Sequence, residues 1–512
     1  MKVVIAVAVV FLWAGQAQCL AATPTGETDK KIYHDELVDL LLANAQDAGR
    51  SGDFAHAVSI LAKIMEPSIY SQLSPTRQHQ ILTLFGTASV RIGDWTNAHE
   101  AFKIATDSPA INRAANRYEC RVRLLTARMV NDSADAFASF EHLRVESLDF
   151  IADFSLAEVQ DLDEQFSSLQ DGEQARLALG EALDEAKWQP PDPFVDAGGI
   201  WFQYATALIE KGQIDKAALV AKRITDPMTI ILMRADRRFD PIVATDPDRF
   251  DPVKAGESWL ATVRRAANEH PNYLEGQTAV ARALHILGRN EEALQVLDAA
   301  LVELGRGMSN RQSRFVDFSG ATGFALSWKS EILFSLGKVD EGLATLKTIL
   351  TIPWEKGLNF DLTLASRLNV FDRPEEALTY LEGPGNGDLS FRRPILLAEV
   401  RACTFAHVNR AKELHEELEY LRAHRAERPD ELELAQLCAN DQDGVAATII
   451  AMLHNPRERA WALGELQVFS DKGIAPYSKV LRSRMKAIRI RPDVRAALAP
   501  VGRSLSYDLP RY

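Results

Sequence analysis

Hydrophobic and polar positions alternate with a helical period along most of the chain, and short glycine-led turns interrupt that period. Leu82, Phe85 and Val90 share one apolar stripe, a break follows at Gly93, and Phe102 continues the stripe beyond it. Apolar residues at this spacing predict amphipathic helices, and a glycine between two of them predicts a turn. The segment therefore predicts two helices that fold back on each other as a hairpin.

The same turn recurs, each time with a small residue seven positions before it and another five positions after it. The turns begin at Gly52, Gly93, Gly212, Gly288 and Gly337. The small residues before them are Ala45, Gly86, Ala205, Ala281 and Ser330, and those after them are Ala57, Ala98, Ala217, Ala293 and Gly342. Repetition at a period of roughly 40 residues is typical of stacked helical hairpins. Small residues at these offsets would let the two helix axes approach closely.

One unit carries the pattern most fully, through Trp201, Tyr204, Ala205, Leu208, Gly212, Ala217, Ala221 and Pro227. Its residues and spacing resemble the tetratricopeptide repeat, and the units around Gly86 and Ala281 are similar. The resemblance implies an all-α fold, a right-handed superhelix of stacked antiparallel helical hairpins. It also implies that the first helices of the hairpins line a concave groove able to bind a protein or peptide. After residue 360 the turns lose their glycine, as at Asp372 and Asn409, and only the spacing persists.

Two proline-rich stretches interrupt the hairpins, because proline cannot continue a helix interior. The first runs from 187 to 199, and the second, from 235 to 256, carries three Asp-Pro pairs. We place the domain division at the second stretch. The predicted organisation is a signal peptide at 1–21, an N-terminal solenoid half at 30–235, a connector at 236–256, a C-terminal half at 257–478, and a basic helix and tail at 479–512.

The first 21 residues match a secretion signal. Lys2 precedes an apolar run from Val3 to Gly15, and small residues follow it. The run is shorter than the ~20 residues that span a bilayer, which favours a cleaved signal over a membrane anchor. Lipid attachment at Cys19 is the less favoured alternative, because the residues before it match a lipid-attachment site poorly. We predict a periplasmic or secreted protein without a transmembrane helix.

Charge separates the last segment from the rest of the chain. The 512 residues carry a formal charge of −13, from 58 basic and 71 acidic residues, which disfavours nucleic acid as a partner. The basic residues between 479 and 512 are Lys479, Arg482, Arg484, Lys486, Arg489, Arg491, Arg495, Arg503 and Arg511. This segment predicts a helix that loosens after Pro492. It would fold back onto the acidic body or, alternatively, make a peripheral contact with an anionic membrane surface.

Three cysteines remain after signal cleavage: Cys120, Cys403 and Cys438. Cys403 and Cys438 are 35 residues apart, about one repeat, so a bridge between neighbouring hairpins is conceivable. Packed helices usually lie 8–10 Å apart, whereas a disulfide needs Cα atoms within about 7 Å. The spacing therefore favours buried, reduced thiols over a disulfide.

No stretch carries a strong catalytic signature. A phosphate-binding loop and a nucleophile elbow are both missing from the sequence. His415 and Glu416 begin like a zinc-protease helix, but Glu419 occupies the place of the second histidine. We predict no cofactor, no metal and no catalytic residue. The alternatives are a cell-wall or polysaccharide-processing enzyme with an unrecognised site, and a chaperone-like holder of exported proteins.

Binding is the function that this architecture favours. Counted from the turns, the groove-facing positions of the first helices carry hydroxyl, basic and aromatic side chains suited to an extended peptide. They are Gln80, Thr83, Thr87, Arg91, Phe202, Thr206, Thr278, Arg282, His285, Ser327 and Glu331. We predict an exported, non-catalytic adaptor or scaffold that binds a protein or peptide partner of the cell envelope.

Overall fold

A computed structural model shows a helical chain. It describes residues 28–107, 113–309, 313–353, 359–381, 393–471 and 475–510. The predicted signal peptide and Cys19 lie outside these residues. Within them no strand forms, and the only β-type pairings are two isolated bridges, Asp236 with Gly502 and Val468 with Ser506. The prediction of an all-α fold built from helical hairpins is confirmed.

The chain divides into two compact units, Met1–Pro191 and Asp192–Tyr512. In the first unit consecutive helices pack as hairpins, notably α1 with α2, α4 with α5, and α6 with α7. Its helices are α1 (Thr28–Arg50), α2 (Phe54–Ile64), α3 (Pro67–Tyr70), α4 (Pro75–Ile92), α5 (Trp95–Thr106), α6 (Arg113–Met129), α7 (Ser133–Glu146), α8 (Leu148–Ala152), α9 (Leu156–Ser167) and α10 (Gly172–Glu185).

The second unit continues the same plan. Its hairpins pair α11 with α12, α16 with α17, α18 with α19, α20 with α21, α22 with α23, and α24 with α25. Its helices are α11 (Gly198–Glu210), α12 (Ile214–Ala221), α13 (Pro227–Ala235), α14 (Asp240–Val243), α15 (Pro252–Glu269), α16 (Leu274–Ile286), α17 (Asn290–Ser309), α18 (Phe318–Ser335), α19 (Val339–Ile349), α20 (Phe360–Val370), α21 (Pro374–Leu381), α22 (Arg393–His407), α23 (Ala411–Ala423), α24 (Pro429–Cys438), α25 (Gln442–His454), α26 (Arg459–Glu465), α27 (Pro476–Arg489) and α28 (Pro492–Val501).

A residue in the left-handed backbone conformation ends the first helix of most hairpins. At Gly93, φ is 78°, and the next residue, Asp94, donates its backbone N–H to the Ser89 carbonyl at 2.9 Å. All five predicted turn glycines have positive φ, between 74° and 84°. Where the sequence lacks glycine, Asn131, Asp372, Asn409 or Asn440 adopts the same conformation, with φ between 57° and 60°. Asn and Asp tolerate this region better than other non-glycine residues, so the repeat survives the loss of its glycine.

Close helix crossing explains the small residues of the repeat. Gly86 on α4 faces the ring of Phe102 on α5, and a Cβ atom built on Gly86 would lie 2.7 Å from Phe102 Cε2. Phe102 is fully buried, so its ring has little room to move. The glycine is therefore required by the packing of this hairpin.

We expect Gly86→Ala to destabilise the first unit by about 1–3 kcal/mol, the usual cost of overpacking a filled core. Gly320→Ala is the control, because it lies in the first turn of α18 with no heavy atom within 4 Å of the added Cβ. Urea unfolding of both variants measures the difference. Equal stability of Gly86→Ala and the unmodified chain would contradict the crossing argument.

The C-terminal end of the second unit returns to the start of that unit. Arg237 donates from Nε to the Ala499 carbonyl at 2.7 Å, and Arg503 pairs with Asp240. Ile231, Phe469 and Leu509 form a buried cluster at the same place. The segment 236–256, predicted as a connector between halves, thus lies within the second unit and holds its C-terminal end. The boundary between the two units falls between Pro191 and Asp192, in the first proline-rich stretch.

The basic C-terminal segment folds onto the body, which is the alternative that the sequence favoured. The arginines that it uses for this are Arg482, Arg484, Arg489, Arg491 and Arg503, whose guanidinium groups donate to carbonyls or carboxylates of the second unit. The expectation that the chain loosens after Pro492 is wrong. Residues Pro492–Val501 form helix α28, because Pro492 stands in its first turn, where no backbone N–H is needed.

Cys403 and Cys438 form a disulfide, with their Cα atoms 5.0 Å apart. The expectation of two reduced thiols is therefore wrong. That expectation equated the distance between two helix axes with the distance between residues at the helix ends. Cys403 lies near the C-terminal end of α22 and Cys438 is the last residue of α24, so the two side chains meet where these neighbouring first helices converge. Cys120 is buried in the first unit and takes no part in this disulfide.

Candidate partner-binding site

Arg282 is the centre of the candidate site. It projects from α16, which packs against both α15 and α18. Its guanidinium carbon lies 5.0 Å from the ring centroid of Trp259 on α15 and 5.7 Å from that of Trp328 on α18. Cations within about 6 Å of an indole are attracted to its face. Two indoles from two different helices thus hold one guanidinium in place.

The guanidinium of Arg282 has no hydrogen-bond acceptor among the described residues. Its contacts there are the two rings, and the residue is half-buried. Arginine carries five N–H donors in a fixed plane. Donors that are positioned by ring contacts and not used internally are ready to bind a carboxylate or the carbonyl groups of a peptide.

Arg282 interacts electrostatically with Glu275, which also interacts with Asp192 and Asp317. We name Asp192, Glu275 and Asp317 the carboxylate cluster. Asp317 accepts hydrogen bonds from the backbone N–H groups of Leu274 and Glu275, at 2.8 and 2.9 Å, and so fixes the start of α16. Asp192 accepts from the backbone N–H of Phe194 at 2.8 Å. The cluster therefore places acidic groups at the N-terminal end of the helix that carries Arg282.

Two members of the carboxylate cluster, Glu275 and Asp192, have raised pKa values. Burial, and then the charges of Asp192 and Asp317, raise the pKa of Glu275 to about 7, while Arg282 opposes this shift. Burial also raises the pKa of Asp192 and of the neighbouring Asp196, and Asp196 is likewise opposed by Arg282. Carboxyl groups that are costly to ionise and adjacent to a cation are typical of functional sites. A positively charged ligand group would favour the ionised form of Glu275.

We expect Glu275→Gln to stabilise the second unit at pH 8 by about 1–3 kcal/mol and to have no effect at pH 4. A raised folded pKa means that ionisation disfavours the folded state, so the cost appears as pH rises from about 4.5 to 7 and persists above it. Urea unfolding at the two pH values measures this difference. The exposed Glu269→Gln is the control and should change stability by less than about 0.5 kcal/mol at both. A destabilising effect of Glu275→Gln at pH 8 would contradict the account.

Other predicted residues extend the site along α16 and α18. His285 Nδ1 lies 2.7 Å from Asn290 Oδ1, and its ring contacts Trp328 with a centroid distance of 5.9 Å. Glu331 accepts a hydrogen bond from Arg367 Nε at 2.6 Å, which joins α18 to α20. Ser327 precedes Trp328 and is half-buried. The structure places Arg282 and His285 on α16 and Ser327 and Glu331 on α18, and His285 is buried.

Several predicted residues are buried inside the hairpin stack instead of facing outward. These are Thr83, Thr87, Phe202, Thr206, Thr278 and His285. Thr278 donates to the Leu274 carbonyl within its own helix, and Thr83 donates to Glu119 on the next first helix, at 2.9 Å. Because their side chains are buried, these residues cannot meet a partner without a rearrangement.

The first unit repeats one element of the site in weaker form. Arg91 on α4 lies 5.0 Å above the ring of Phe54, and Gln80 on the same helix is half-buried. Here one phenyl ring replaces the two indoles, and the Nε atom of Arg91 is buried without an acceptor. Arg91 and Gln80 are therefore a second region of predicted binding residues, separate from the Arg282 site.

Sequence reasoning missed the two tryptophans and the carboxylate cluster. Trp259 and Trp328 lie at helical core spacing, where an indole in contact with arginine has the same pattern as an indole in a core. Asp192 lies in a proline-rich stretch, and Asp317 follows a segment without a repeat signal. Of these residues, Asp317 alone has a sequence signal: an acidic residue just before a predicted helix indicates a helix cap.

A cavity of about 480 Å³ opens on another face of α16. Gln277 and Leu284 line it from α16, and Arg264, Gln295 and Phe315 complete much of its wall. Among the described residues, no group of His, Cys, Asp or Glu has an arrangement that could hold a metal ion. No helix in the described ranges is long and apolar enough to cross a membrane.

No family model and no curated protein sequence matches the chain. Among solved structures, the chain is similar to the one described as "Crystal structure of APC/C hetero-tetramer Cut9-Hcn1", with 13% sequence identity and a TM-score of 0.28. The match covers 91% of both chains. The identity and the TM-score are both low. We therefore describe the architecture from the hairpins of this chain alone.

Proposed function

We propose that this protein is an exported, non-catalytic scaffold that binds a protein or peptide partner of the cell envelope. The observation that carries the proposal is the guanidinium of Arg282, held between Trp259 and Trp328 with no acceptor among the described residues. A positioned and unused set of donors favours recognition of another molecule over a purely structural role.

The surroundings of Arg282 suit an extended peptide. Its donors match main-chain carbonyls or a carboxylate of the partner, and the indole of Trp328, half-buried, offers apolar area beside them. The carboxylate cluster favours a lysine or arginine side chain of the same partner. A segment that carries both groups would bind in one orientation, because each charge has its own place.

Export is supported by two independent features. The first is the signal-like sequence at 1–21. The second is the Cys403–Cys438 disulfide, since disulfides persist in oxidising compartments such as the periplasm. Any peripheral contact with an anionic membrane surface would use the exposed Lys479, Lys486 and Arg495, because the other basic residues of α27 and α28 have partners within the protein.

Crosslinked capture from a native envelope extract tests the proposal. The mature chain is compared with Arg282→Ala and with Arg265→Ala, an exposed arginine on α15 that serves as the control. One defined partner that is lost only with Arg282→Ala would support the scaffold and its site. Many weakly bound clients would favour a chaperone-like holder instead. No captured protein in any sample would count against the scaffold and direct the search to cell-wall fragments as substrates.

A further inference from the structure

Helix α27 lies across the C-terminal ends of three neighbouring first helices. It contacts α20 and α24, and its Tyr477 stacks on His407, the last residue of α22, at a centroid distance of 4.3 Å. Arg484 donates from Nη1 to the carbonyls of Leu437 and Cys438, both at 2.7 Å. These carbonyls belong to the last turn of α24, where a cation is favoured by the helix dipole and by unpaired acceptors.

The disulfide lies beneath the first half of α27. Cys403, Cys438 and Tyr477 form one buried cluster, and Leu481 packs against it. The Tyr477 hydroxyl also lies 3.4 Å from the Cys438 carbonyl. The bridge and the residue next to it thus supply apolar surface and acceptors for this half of the helix, which Arg482 also fixes through the Ser470 carbonyl and Asp471.

The second half of α27 has a different support. Met485 and Ile488 are buried in a cluster with residues of α25 and α28, among them Val445 and Ile449. Only Leu437 in this cluster is next to a cysteine of the disulfide, and most other members come from α25, α26 and α28. A change at the disulfide would therefore act mainly on residues 476–484 and leave most of the support of residues 485–489 in place.

We propose that the Cys403–Cys438 disulfide is a redox-controlled clasp for the first half of α27. A dithiol reductant breaks the S–S bond: one of its sulfurs attacks, a mixed disulfide forms, and its second sulfur displaces the remaining cysteine. The reductant becomes a disulfide, and its two protons end on the Cys403 and Cys438 thiols. Without the bridge, α22 and α24 separate at this point, and Tyr477, Leu481 and Arg484 lose the surface that they share.

The disulfide and the docking of this half-helix stabilise each other. Both sulfurs belong to residues that are less than 8% exposed, so a reductant reaches them only when the first half of α27 lifts. Docking of this half-helix therefore protects the disulfide, and the disulfide stabilises the docking. Linkage requires the two effects to be equal in free energy.

Hydrogen exchange of the full mature chain, oxidised and after treatment with dithiothreitol, tests the effect of the disulfide on the docking. We expect amide protection in 476–484 to fall by at least tenfold on reduction, while protection in 485–489 and in the first unit is unchanged. The double variant Cys403→Ser/Cys438→Ser should resemble the reduced chain and should not respond to dithiothreitol. Unchanged protection in 476–484, or a loss of protection throughout the second unit, would overturn the proposal.

The reduction rate of the disulfide tests the effect of the docking on the disulfide without removing a cysteine. Arg484→Ala deletes both hydrogen bonds to the end of α24, and Lys486→Ala is the matched control, because Lys486 is exposed on the same helix. We expect dithiothreitol to reduce the bridge in Arg484→Ala about tenfold faster than in the unmodified chain, since a charge-assisted hydrogen bond contributes at least that factor. Alkylation and mass spectrometry of the two cysteine peptides measure the rate. Equal rates in Arg484→Ala and Lys486→Ala would overturn the clasp.

Discussion

Arg282→Ala is expected to weaken binding of the captured partner by about 10–100-fold. The variant removes charge-assisted hydrogen bonds worth about 1.5–3 kcal/mol and leaves the partner's acceptors unpaired. Folding should change little, because Arg282 makes ring contacts but no hydrogen bonds within the described residues. Calorimetric titration with the purified partner measures the affinity.

Two further variants test whether the loss of affinity is specific to the guanidinium of Arg282. Arg282→Lys keeps the charge but loses the planar set of donors, so we expect an affinity between those of the alanine variant and the unmodified chain. Arg265→Ala should bind like the unmodified chain. If Arg282→Ala bound the partner with unaltered affinity, Arg282 would not be part of the binding surface.

Trp188→Ala is expected to destabilise the first unit by about 3–5 kcal/mol, the usual cost of deleting a large buried ring. The indole is 1% exposed, and its Nε1 donates to the Phe154 carbonyl at 2.7 Å. The change opens a cavity and leaves a buried carbonyl without its donor. Such a loss is a large part of the 5–15 kcal/mol that stabilises a typical domain. Urea unfolding followed by circular dichroism and hydrogen exchange locates and measures the effect.

Trp188→Phe separates the two contributions. It retains much of the buried volume and loses the indole N–H, so a cost of about 1–3 kcal/mol is expected. A full-size loss in the phenylalanine variant would assign the effect to the hydrogen bond alone. No loss in Trp188→Ala would contradict the view that this residue completes the core of the first unit.

The local structure of the hairpins was predictable because its causes are local. Gly93 ends α4 through its own backbone conformation, and Gly86 admits Phe102 through its own lack of a side chain. Even where glycine is lost, Asp372 and Asn409 belong to the few residue types that tolerate positive φ. A pattern of residue types at fixed spacing is sufficient information for such features.

Contacts between distant segments were not predictable in this way. The return of Arg503 to Asp240 joins residues 263 positions apart, and no periodic pattern encodes that pairing. The Cys403–Cys438 bridge depends on where two helix ends converge, which the mean distance between helices does not reveal. The sequence therefore indicated that the basic segment packs on the body but not where it packs.

The candidate site could be predicted from the sequence only in part. Arg282, His285 and Glu331 lie on first helices, because the turn glycines fix the register of each helix, and their role in binding stays a prediction. The fault lay in the assumption that every position at these offsets faces the groove. Thr83 and Thr278 instead lie against neighbouring parts of the stack, and a threonine has the same sequence signal in either place.

Site-specific photocrosslinking tests the central claim, binding of a protein partner at the Arg282 site, most directly. A photoreactive residue at position 327, beside Trp328, is compared with one at the exposed position 341 on α19. Illumination in native envelope extract should give one covalent adduct with a defined protein from position 327 and none from position 341. Adducts from position 341 alone, or from neither position, would contradict the assignment of this surface.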